Sequence, residues 1–439
     1  MKRRWTNIGI HTRLWDNARK GVVSFAPLKI AALAVRDPCR PEQDPMRLSP
    51  TVAAIAEPAT LLMARRSREL RAQGRDIIDL SLGEPDHDPP AFALEAAQEA
   101  IRGPWHKYPP VNGYLDVRQA IAAKFERDNG LHYPADQIVV STGAKQSLVN
   151  VVMSLVGPGD EVVIPAPYWV SYSEQVRLCG GTPVIVHSTL EENWKPPIAR
   201  IAEAVTERTR LIMFSSPCNP SGSVLTRSEL EELAEVVRRH KDLYVLADEI
   251  YEHIVFEGQH LSFAALPDMA ERTITVNGLS KAFALTGWRL GYIGAPLWIA
   301  QAATKVQGQF TSGANSIAQR VAKACVEADP KLLEPMRADF LRRRDLVLRE
   351  LERIPGWRCN VPQGAFYLLP DVRASIDGRT IKGSVDLSLH LLDSVGVSLV
   401  EGASFGAEGT LRISYATSDE KLTEAMRRVA RGIAELEPA

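Results

Sequence analysis

The sequence predicts an α/β fold in which helices flank a mainly parallel sheet, because short apolar runs alternate with helical patterns along the middle of the chain. Apolar runs of this length are typical of strands that are buried on both faces of a sheet. The runs occupy residues 138–140, 162–164, 184–186, 211–214, 243–247 and 273–276. The segments between them have helical periodicity, as the crossover connections of parallel strands require.

Two helix starts can be predicted from local chemistry. Thr226 and Glu229 have the spacing of a capping box, which predicts a helix over residues 228–240. The segment 141–147 joins the first predicted strand to a helical pattern, so its backbone N–H groups should lie at a helix N-terminus. Such a terminus attracts phosphate.

Composition limits the class of protein. The chain has 439 residues, enough for a large core and two subdomains. A net charge of −1 with 24% charged residues gives no electrostatic reason to expect nucleic acid or a membrane surface as partner. No apolar run approaches the roughly 20 residues that span a bilayer. The cysteines lack the C-x-x-C spacing of metal or redox sites, so we expect reduced thiols in a cytoplasmic protein. They are Cys39, Cys179, Cys218, Cys325 and Cys359.

The segment 277–292 carries the strongest chemical signal in the chain. It ends a short apolar strand near Lys281 and places Arg289 eight residues later. A buried lysine loses its proton readily and becomes a nucleophile, and an arginine offers a permanent fork of donors to a phosphate. Small residues around the lysine, among them Gly278 and Ser280, leave room for a bulky cofactor. The segment therefore predicts a pyridoxal phosphate site.

Polar residues follow two other predicted strands and point to the same cofactor. Asp248 and Tyr251 come at the carboxyl end of the run 243–247, where parallel sheets present ligand groups. An aspartate there can keep a pyridinium nitrogen protonated. Asn219 follows the run 211–214 and can hydrogen-bond a phenolic oxygen. The sequence contains neither G-x-G-x-x-G nor G-x-x-x-x-G-K-[ST], which disfavours dinucleotide and Walker-type sites.

Six motifs in order resemble the class I aminotransferases of fold type I, most closely the bacterial and plastid-type aspartate aminotransferases, some of which also act on prephenate. The resemblance runs from about Leu48 to the C-terminus. The motifs are GEPDHDPP (83–90), KYPPVNG (107–113), APYWVSY (166–172), SKAFALTGWRLGY (280–292), PQGAFYLL (362–369) and LRISYATS (411–418).

The resemblance implies an enzyme that moves an amino group between an amino acid and a 2-oxo acid with pyridoxal 5′-phosphate. The expected substrates are aspartate or glutamate with 2-oxoglutarate or oxaloacetate. It also implies a large cofactor domain over residues 95–330 and a smaller α/β domain formed by 46–94 and 331–439. The family's active unit is a homodimer with the active site at the subunit interface.

The resemblance also implies roles for individual residues. Lys281 is expected to bond to the cofactor aldehyde and to move the proton during transfer. Asp248 is expected at the pyridine nitrogen, Asn219 and Tyr251 at the ring oxygen, and Trp169 against the ring face.

The phosphate is expected to meet backbone donors of Gly143 and Ala144, with Arg289 as its charge partner. Tyr108 resembles a tyrosine that reaches the phosphate in the neighbouring subunit. The family often has serine three residues before the lysine, where this chain has Gly278, so Ser280 or backbone groups must replace that contact.

Arg412 is expected to pair with the substrate α-carboxylate, with the backbone of Gly83 closing over it and Trp169 and Asn219 nearby. The segment 306–316 lacks the arginine that one branch of the family uses for a distal carboxylate. Lys145 is the expected substitute, although it can instead serve the phosphate or face solvent. Lys145 together with Thr60 resembles the pairing of relatives that accept prephenate.

Other interpretations remain open. A pyridoxal phosphate β-lyase would share the cofactor residues, whereas a regulator with an aminotransferase-like domain would need a DNA-binding module that residues 1–45 do not supply. Residues 1–45 are basic at their start and lie outside the resemblance. We expect a disordered extension or, alternatively, an organelle-targeting peptide there.

Overall fold

A computed structural model describes residues 49–53 and 55–436. The interpretations of residues 1–45 therefore lie outside the described residues. The strands are β1 (Ile78–Asp79), β2 (Ile138–Ser141), β3 (Glu161–Pro165), β4 (Thr182–Val186), β5 (Thr209–Ser215), β6 (Tyr244–Asp248), β7 (Thr273–Gly278), β8 (Gly291–Gly294), β9 (Tyr367–Leu368), β10 (Val397–Ser398), β11 (Val400–Glu401) and β12 (Leu411–Ser414). The helices are α1 (Pro50–Ala53), α2 (Ala59–Ala72), α3 (Ala91–Arg102), α4 (Leu115–Lys124), α5 (Ala144–Leu155), α6 (Ser171–Leu178), α7 (Ile198–Ala204), α8 (Arg227–Arg239), α9 (Leu297–Phe310), α10 (Ser316–Glu327), α11 (Glu334–Leu351), α12 (Ser384–Val395) and α13 (Asp419–Ala434). Among these described residues, no helix is long and apolar enough to cross a membrane.

The central sheet has seven strands in the order β2-β8-β7-β6-β5-β3-β4. All strands run parallel except β8, which is antiparallel to both neighbours. Each predicted apolar run coincides with a strand of this sheet, although the run 243–247 begins one residue before β6. The predicted α/β class is confirmed. The sequence analysis did not predict β8, because its four residues begin and end with glycine and carry little strand signal.

The predicted capping box is also present. The Thr226 hydroxyl accepts a hydrogen bond from the Glu229 amide at 3.3 Å, and the Glu229 carboxylate accepts one from the Thr226 amide at 2.7 Å. Two donors that would otherwise be unpaired at the start of α8 are satisfied in this way.

Two smaller sheets lie outside the central one. Strands β11, β12 and β9 form an antiparallel sheet, and β1 pairs in parallel with β10. The β1–β10 pair joins the segments 46–94 and 331–439 that are predicted to share the smaller domain. The domain boundaries themselves stay a prediction.

A buried ionic network holds the chain that follows β6. The Lys124 ammonium and the Asn129 amide both donate to the Glu252 carboxylate. Burial would raise the pKa of Glu252, but the charges of Lys124 and His253 outweigh it and hold that pKa well below its usual range. Glu252 directly follows Tyr251 in the chain, so the network helps to hold the turn in which Tyr251 lies.

Candidate active site

A cavity of about 300 Å³ opens at the carboxyl ends of β5, β6 and β7. Most of the residues proposed from the sequence line this one cavity, although they come from distant parts of the chain. They are Thr60, Gly83, Ala144, Lys145, Trp169, Asn219, Asp248, Tyr251, Ser280, Lys281, Arg289 and Arg412. Ligands bind at this edge of α/β sheets because the strand ends and helix N-termini converge there.

Lys281 lies three residues beyond β7, and its ammonium donates a hydrogen bond to the Gly83 carbonyl at 2.6 Å. Burial lowers the pKa of Lys281 to about 8; the Glu84 carboxylate opposes this shift, and the charges of Arg289 and Arg412 add to it. A lysine with this pKa is free amine in roughly a tenth of the molecules at pH 7, far more than an ordinary lysine with a pKa of 10.5. It therefore has the property that a lysine nucleophile requires.

Asp248 is the last residue of β6 and is only 5% exposed. Burial raises its pKa to about 6, although hydrogen bonds from the Tyr172 hydroxyl and the Ile250 amide act in the opposite direction. The Tyr172 hydroxyl donates to the carboxylate at 2.7 Å. Asp248 is thus an ionised carboxylate at neutral pH that gains from a cationic partner.

The guanidinium of Arg412 is held in one orientation by its surroundings. It lies between the rings of Tyr367 and Phe405, with 4.7 and 5.0 Å from its central carbon to the ring centroids. One terminal nitrogen donates to the Asn219 side-chain oxygen at 3.0 Å and the other to the Ser81 carbonyl. Its Nε has no acceptor within residues 49–53 and 55–436. Such a buried, preoriented cation can bind a carboxylate with little loss of side-chain entropy.

The contact to Arg412 also orients Asn219. Its side-chain oxygen accepts from the arginine, so its amide NH₂ is the group left to donate to a ligand. This agrees with the predicted role of Asn219 at a negatively charged ring oxygen.

The start of α5 forms the opposite end of the cavity. Gly143 precedes the helix with φ +81°, and a Cβ there would lie 2.5 Å from the Arg289 guanidinium. A Cβ at Gly291 would overlap the Ala144 amide nitrogen. Glycine at both positions therefore lets the guanidinium and the helix N-terminus come together. The Gly143 amide donates to the Ser141 carbonyl at 2.8 Å, whereas the Ala144 amide opens the helix beside Arg289. An N–H group at a helix start beside an arginine is an anion site.

Lys145 and Trp169 form one wall of the cavity. The Lys145 ammonium lies 4.8 Å from the Trp169 ring centroid. Burial lowers the pKa of Lys145, and the charge of Arg289 lowers it further. A partly desolvated cation gains from an anionic ligand, and the position of Lys145 is compatible with either a phosphate or a substrate carboxylate.

Tyr108 does not meet this cavity within the same chain. It is 96% exposed and lies in a separate groove formed by residues 105–109 and 313–317. The sequence analysis expected it at the site of a neighbouring subunit, and that expectation stays a prediction.

The structure explains the departure at Gly278. A Cβ at this position would lie 2.8 Å from the Leu290 carbonyl oxygen and 2.9 Å from the Gly291 Cα. A serine would push β8 away from β7. Ser280, which lines the cavity, is the hydroxyl available in its place.

Cys218, close in sequence to Asn219, is a packing residue. Its thiol donates to the Pro167 carbonyl at 3.3 Å, and burial raises its pKa. A thiol with a raised pKa is a poor nucleophile, so the structure favours a packing role for Cys218 over a redox role.

Two cavity residues were missed as functional candidates. The Tyr172 hydroxyl donates to the Asp248 carboxylate. The hydroxyl oxygens of Tyr367 and Tyr251 lie 2.8 Å apart. Tyr172 and Tyr367 both lie inside motifs that carry the family resemblance, at 166–172 and 362–369. That membership was the available signal, but their contacts depend on the tertiary fold.

One group of possible metal ligands among the described residues does not line the cavity. Glu249, Glu252 and His260 have potential ligand atoms within 4.8 Å of one another. The two oxygens of Glu252 already accept hydrogen bonds from Lys124 and Asn129, so this group belongs to the buried network described above.

The cavity fits pyridoxal phosphate in its donor set. An anion site at α5 suits the phosphate, the buried carboxylate of Asp248 suits a protonated ring nitrogen, and the amine of Lys281 suits the aldehyde. Asp248, Lys281 and the Ala144 end of the anion site line the same cavity, and Gly143 of that anion site lies next to it.

Comparison with known proteins gives consistent matches. A family model described as aminotransferase class I and II matches residues 75–429. A probable aspartate/prephenate aminotransferase of Rhizobium leguminosarum bv. phaseoli is 43% identical over 392 residues, covering 88% of this chain and 98% of that relative. A bifunctional aspartate aminotransferase and glutamate/aspartate-prephenate aminotransferase of Petunia hybrida is 44% identical over 400 residues, covering 89% and 84%. The solved structure of Thermus thermophilus aspartate aminotransferase with maleate has a TM-score of 0.84 at 40% identity, covering 88% of this chain and 99% of that one.

The low pKa of Lys281 can be tested without any cofactor. We expect competitive acetylation of the protein, followed by peptide mass spectrometry, to show that Lys281 titrates near its pKa of about 8 rather than at the ordinary 10.5. Arg289→Met removes a nearby positive charge and should move the midpoint upward. A midpoint near 10.5 in the unmodified protein would contradict the account of burial.

Proposed function

The chain belongs to the class I and II aminotransferases, and from that membership we propose a pyridoxal phosphate enzyme that transfers the amino group of a dicarboxylic amino acid to a 2-oxo acid. The observation that carries the proposal is the cavity in which Lys281, Asp248 and Arg412 converge. Aspartate and glutamate are the proposed donors, and 2-oxoglutarate and oxaloacetate the proposed acceptors.

The proposed roles of the residues follow from their positions. Pyridoxal phosphate supplies, when bound, an electrophilic aldehyde and a ring that withdraws electrons from the bonds of the substrate Cα. The amine of Lys281 would hold the aldehyde and, when free, would take the Cα proton, for which a pKa of about 8 is suitable. Asp248 would hold the proton on the ring nitrogen. Asn219 and Tyr251 would donate to the ring oxygen.

The remaining cofactor contacts are assigned from the anion site and the cavity wall. The amides of Gly143 and Ala144 and the guanidinium of Arg289 would hold the phosphate, with Ser280 beside them. Trp169 would cover the ring face. Because Gly143 and Gly291 have no side chains, a phosphate at the start of α5 could contact backbone donors directly.

Arg412 is the proposed site for the substrate α-carboxylate. Its guanidinium is already fixed by two rings and two acceptors, so binding a planar carboxylate costs little further order. The backbone of Gly83, which accepts from Lys281, would close over the same group.

Lys145 is the proposed partner of the distal carboxylate. It lines the cavity, has a lowered pKa, and belongs to a chain without an arginine in residues 306–316. Relatives named aspartate aminotransferase, and a solved relative with maleate, support a dicarboxylic substrate, whose second carboxylate needs such a partner.

Prephenate is a second candidate for the oxo acid. The observation that favours it is that Thr60 lines the cavity together with Lys145, as the resemblance to prephenate-accepting relatives implied. The relatives from Rhizobium leguminosarum and Petunia hybrida carry prephenate in their names.

A homodimer is the proposed active unit. The exposure of Tyr108 and the groove of residues 105–109 and 313–317 beside it suit a surface that a second copy covers. Cys179, Cys218, Cys325 and Cys359 are free thiols, which supports a cytoplasmic location.

The reaction class can be tested by a single turnover. Protein loaded with pyridoxal phosphate should convert aspartate to about one equivalent of oxaloacetate per site, release no ammonia, and stop until 2-oxoglutarate is added. In Lys281→Ala the rate should fall by at least about 10²–10⁴. A β-lyase would instead give pyruvate and ammonia from a cysteine conjugate with no need for an oxo acid, and that outcome would contradict the proposal.

The role of Lys145 can be tested by substrate comparison. Loss of a charge-assisted contact should lower kcat/KM of Lys145→Ser for aspartate by about 10- to 150-fold, with much less change for alanine or phenylalanine. Pyridoxal phosphate affinity serves as the control and should stay near that of the unmodified protein. Equal losses for all three amino acids would assign Lys145 to the cofactor.

A further inference from the structure

Tyr367 links the proposed ring-oxygen contact to the proposed carboxylate site. We propose that its hydroxyl is a positioning group that donates to Tyr251 and so leaves the Tyr251 proton for the ligand oxygen. The inference rests on the proposed function, because it assumes that an anionic ring oxygen lies beside Tyr251.

The position of Tyr367 is tightly constrained. It lies in β9, opposite Ser414 of β12, and its side chain is fully buried. A Cβ at Gly83 would overlap its hydroxyl oxygen. The backbone that accepts from Lys281 therefore packs directly against this hydroxyl.

The two tyrosine hydroxyls can pair in only one way if Tyr251 serves a ligand. Their oxygens are 2.8 Å apart, and either one can donate. Each hydroxyl has a single proton, so a Tyr251 that donates to Tyr367 has none left for the ring oxygen. Within residues 49–53 and 55–436, Tyr251 is the only hydrogen-bond partner of the Tyr367 hydroxyl. Donation from Tyr367 to Tyr251 is thus the arrangement that satisfies both groups.

The charge of Arg412 favours the same direction. Its guanidinium lies 4.7 Å from the Tyr367 ring centroid, and an adjacent cation makes a phenol the better donor. Burial raises the pKa of both phenols, and Arg412 opposes the rise at both. The hydrogen bond between the two hydroxyls also opposes the rise at Tyr367, whereas the neighbouring Tyr367 adds to the rise at Tyr251.

The arrangement gives Tyr367 a function that packing alone does not provide. A hydroxyl that accepts one hydrogen bond donates a stronger one, so the chain from Tyr367 through Tyr251 stabilises negative charge on the ligand oxygen. Stabilising that oxygen favours the deprotonated form of the bound cofactor, which sets the pH at which its visible absorbance changes.

The test is a pH titration of that absorbance in protein loaded with pyridoxal phosphate. Tyr367→Phe keeps the ring beside Arg412 and removes only the hydroxyl. We expect the midpoint to rise by about half a pH unit to one unit, the size of one neutral hydrogen bond. Affinity for maleate, a dicarboxylate that lacks an amino group, should change less than about twofold, because the packing around Arg412 is retained.

Two further variants separate this role from a general effect of hydroxyl loss. Tyr133→Phe removes a hydroxyl that pairs with the Thr275 hydroxyl at 3.2 Å in a buried site outside the cavity, and it should leave the midpoint unchanged. Tyr251→Phe should raise the midpoint by itself, and adding Tyr367→Phe to it should cause no further rise.

The inference and the proposed function fail in different ways. An unmoved midpoint in Tyr367→Phe, an equal rise in Tyr133→Phe, or additive rises in the double variant would overturn the role of Tyr367 alone. A wild-type protein whose bound cofactor shows no titrating absorbance would overturn the proposed function, and the inference with it.

Discussion

Burial of oppositely charged groups in one cavity is the constraint on which the rest of the site depends. Removal from water lowers the pKa of Lys281 to about 8 and raises that of Asp248 to about 6. The two shifts have the same cause and opposite signs, because burial penalises whichever form is charged. The sheet maintains this arrangement, since Asp248 of β6 is paired in register with Val276 of β7, a short distance before the lysine.

Close backbone approach makes that burial possible. Gly278 and Gly291 are paired across β7 and β8, and a Cβ at either one would push main-chain atoms apart. With β8 tight against the start of α5, Arg289 reaches the helix N-terminus where the anion site forms. Strand β8, which was not predicted from the sequence, is therefore the element that connects the proposed phosphate site to Lys281.

Much of this architecture follows from local sequence, and the parts that do not follow have a common reason. The apolar runs and the capping box at Thr226 depend on neighbours in the chain, and both were predicted correctly. Placement of Lys281 and Asp248 at strand ends was equally predictable, because parallel strands bring their carboxyl ends to one edge. The hydroxyl partners Tyr172 and Tyr367 could not be predicted, because their contacts join distant parts of the chain. Tyr172 and Asp248 are 76 residues apart, and Tyr251 and Tyr367 are 116 residues apart. Strand β8 was missed because its glycines are there to allow close packing against its neighbours, and that packing exists only in the folded chain.

The central claim is that the buried amine of Lys281 is the group that bonds to the cofactor aldehyde. Borohydride reduction of protein loaded with pyridoxal phosphate, followed by peptide mass spectrometry, tests it directly. The account predicts that one phosphopyridoxyl group per chain is attached to the peptide that contains Lys281. Attachment to Lys145 or to another lysine, or no attachment at all, would contradict it.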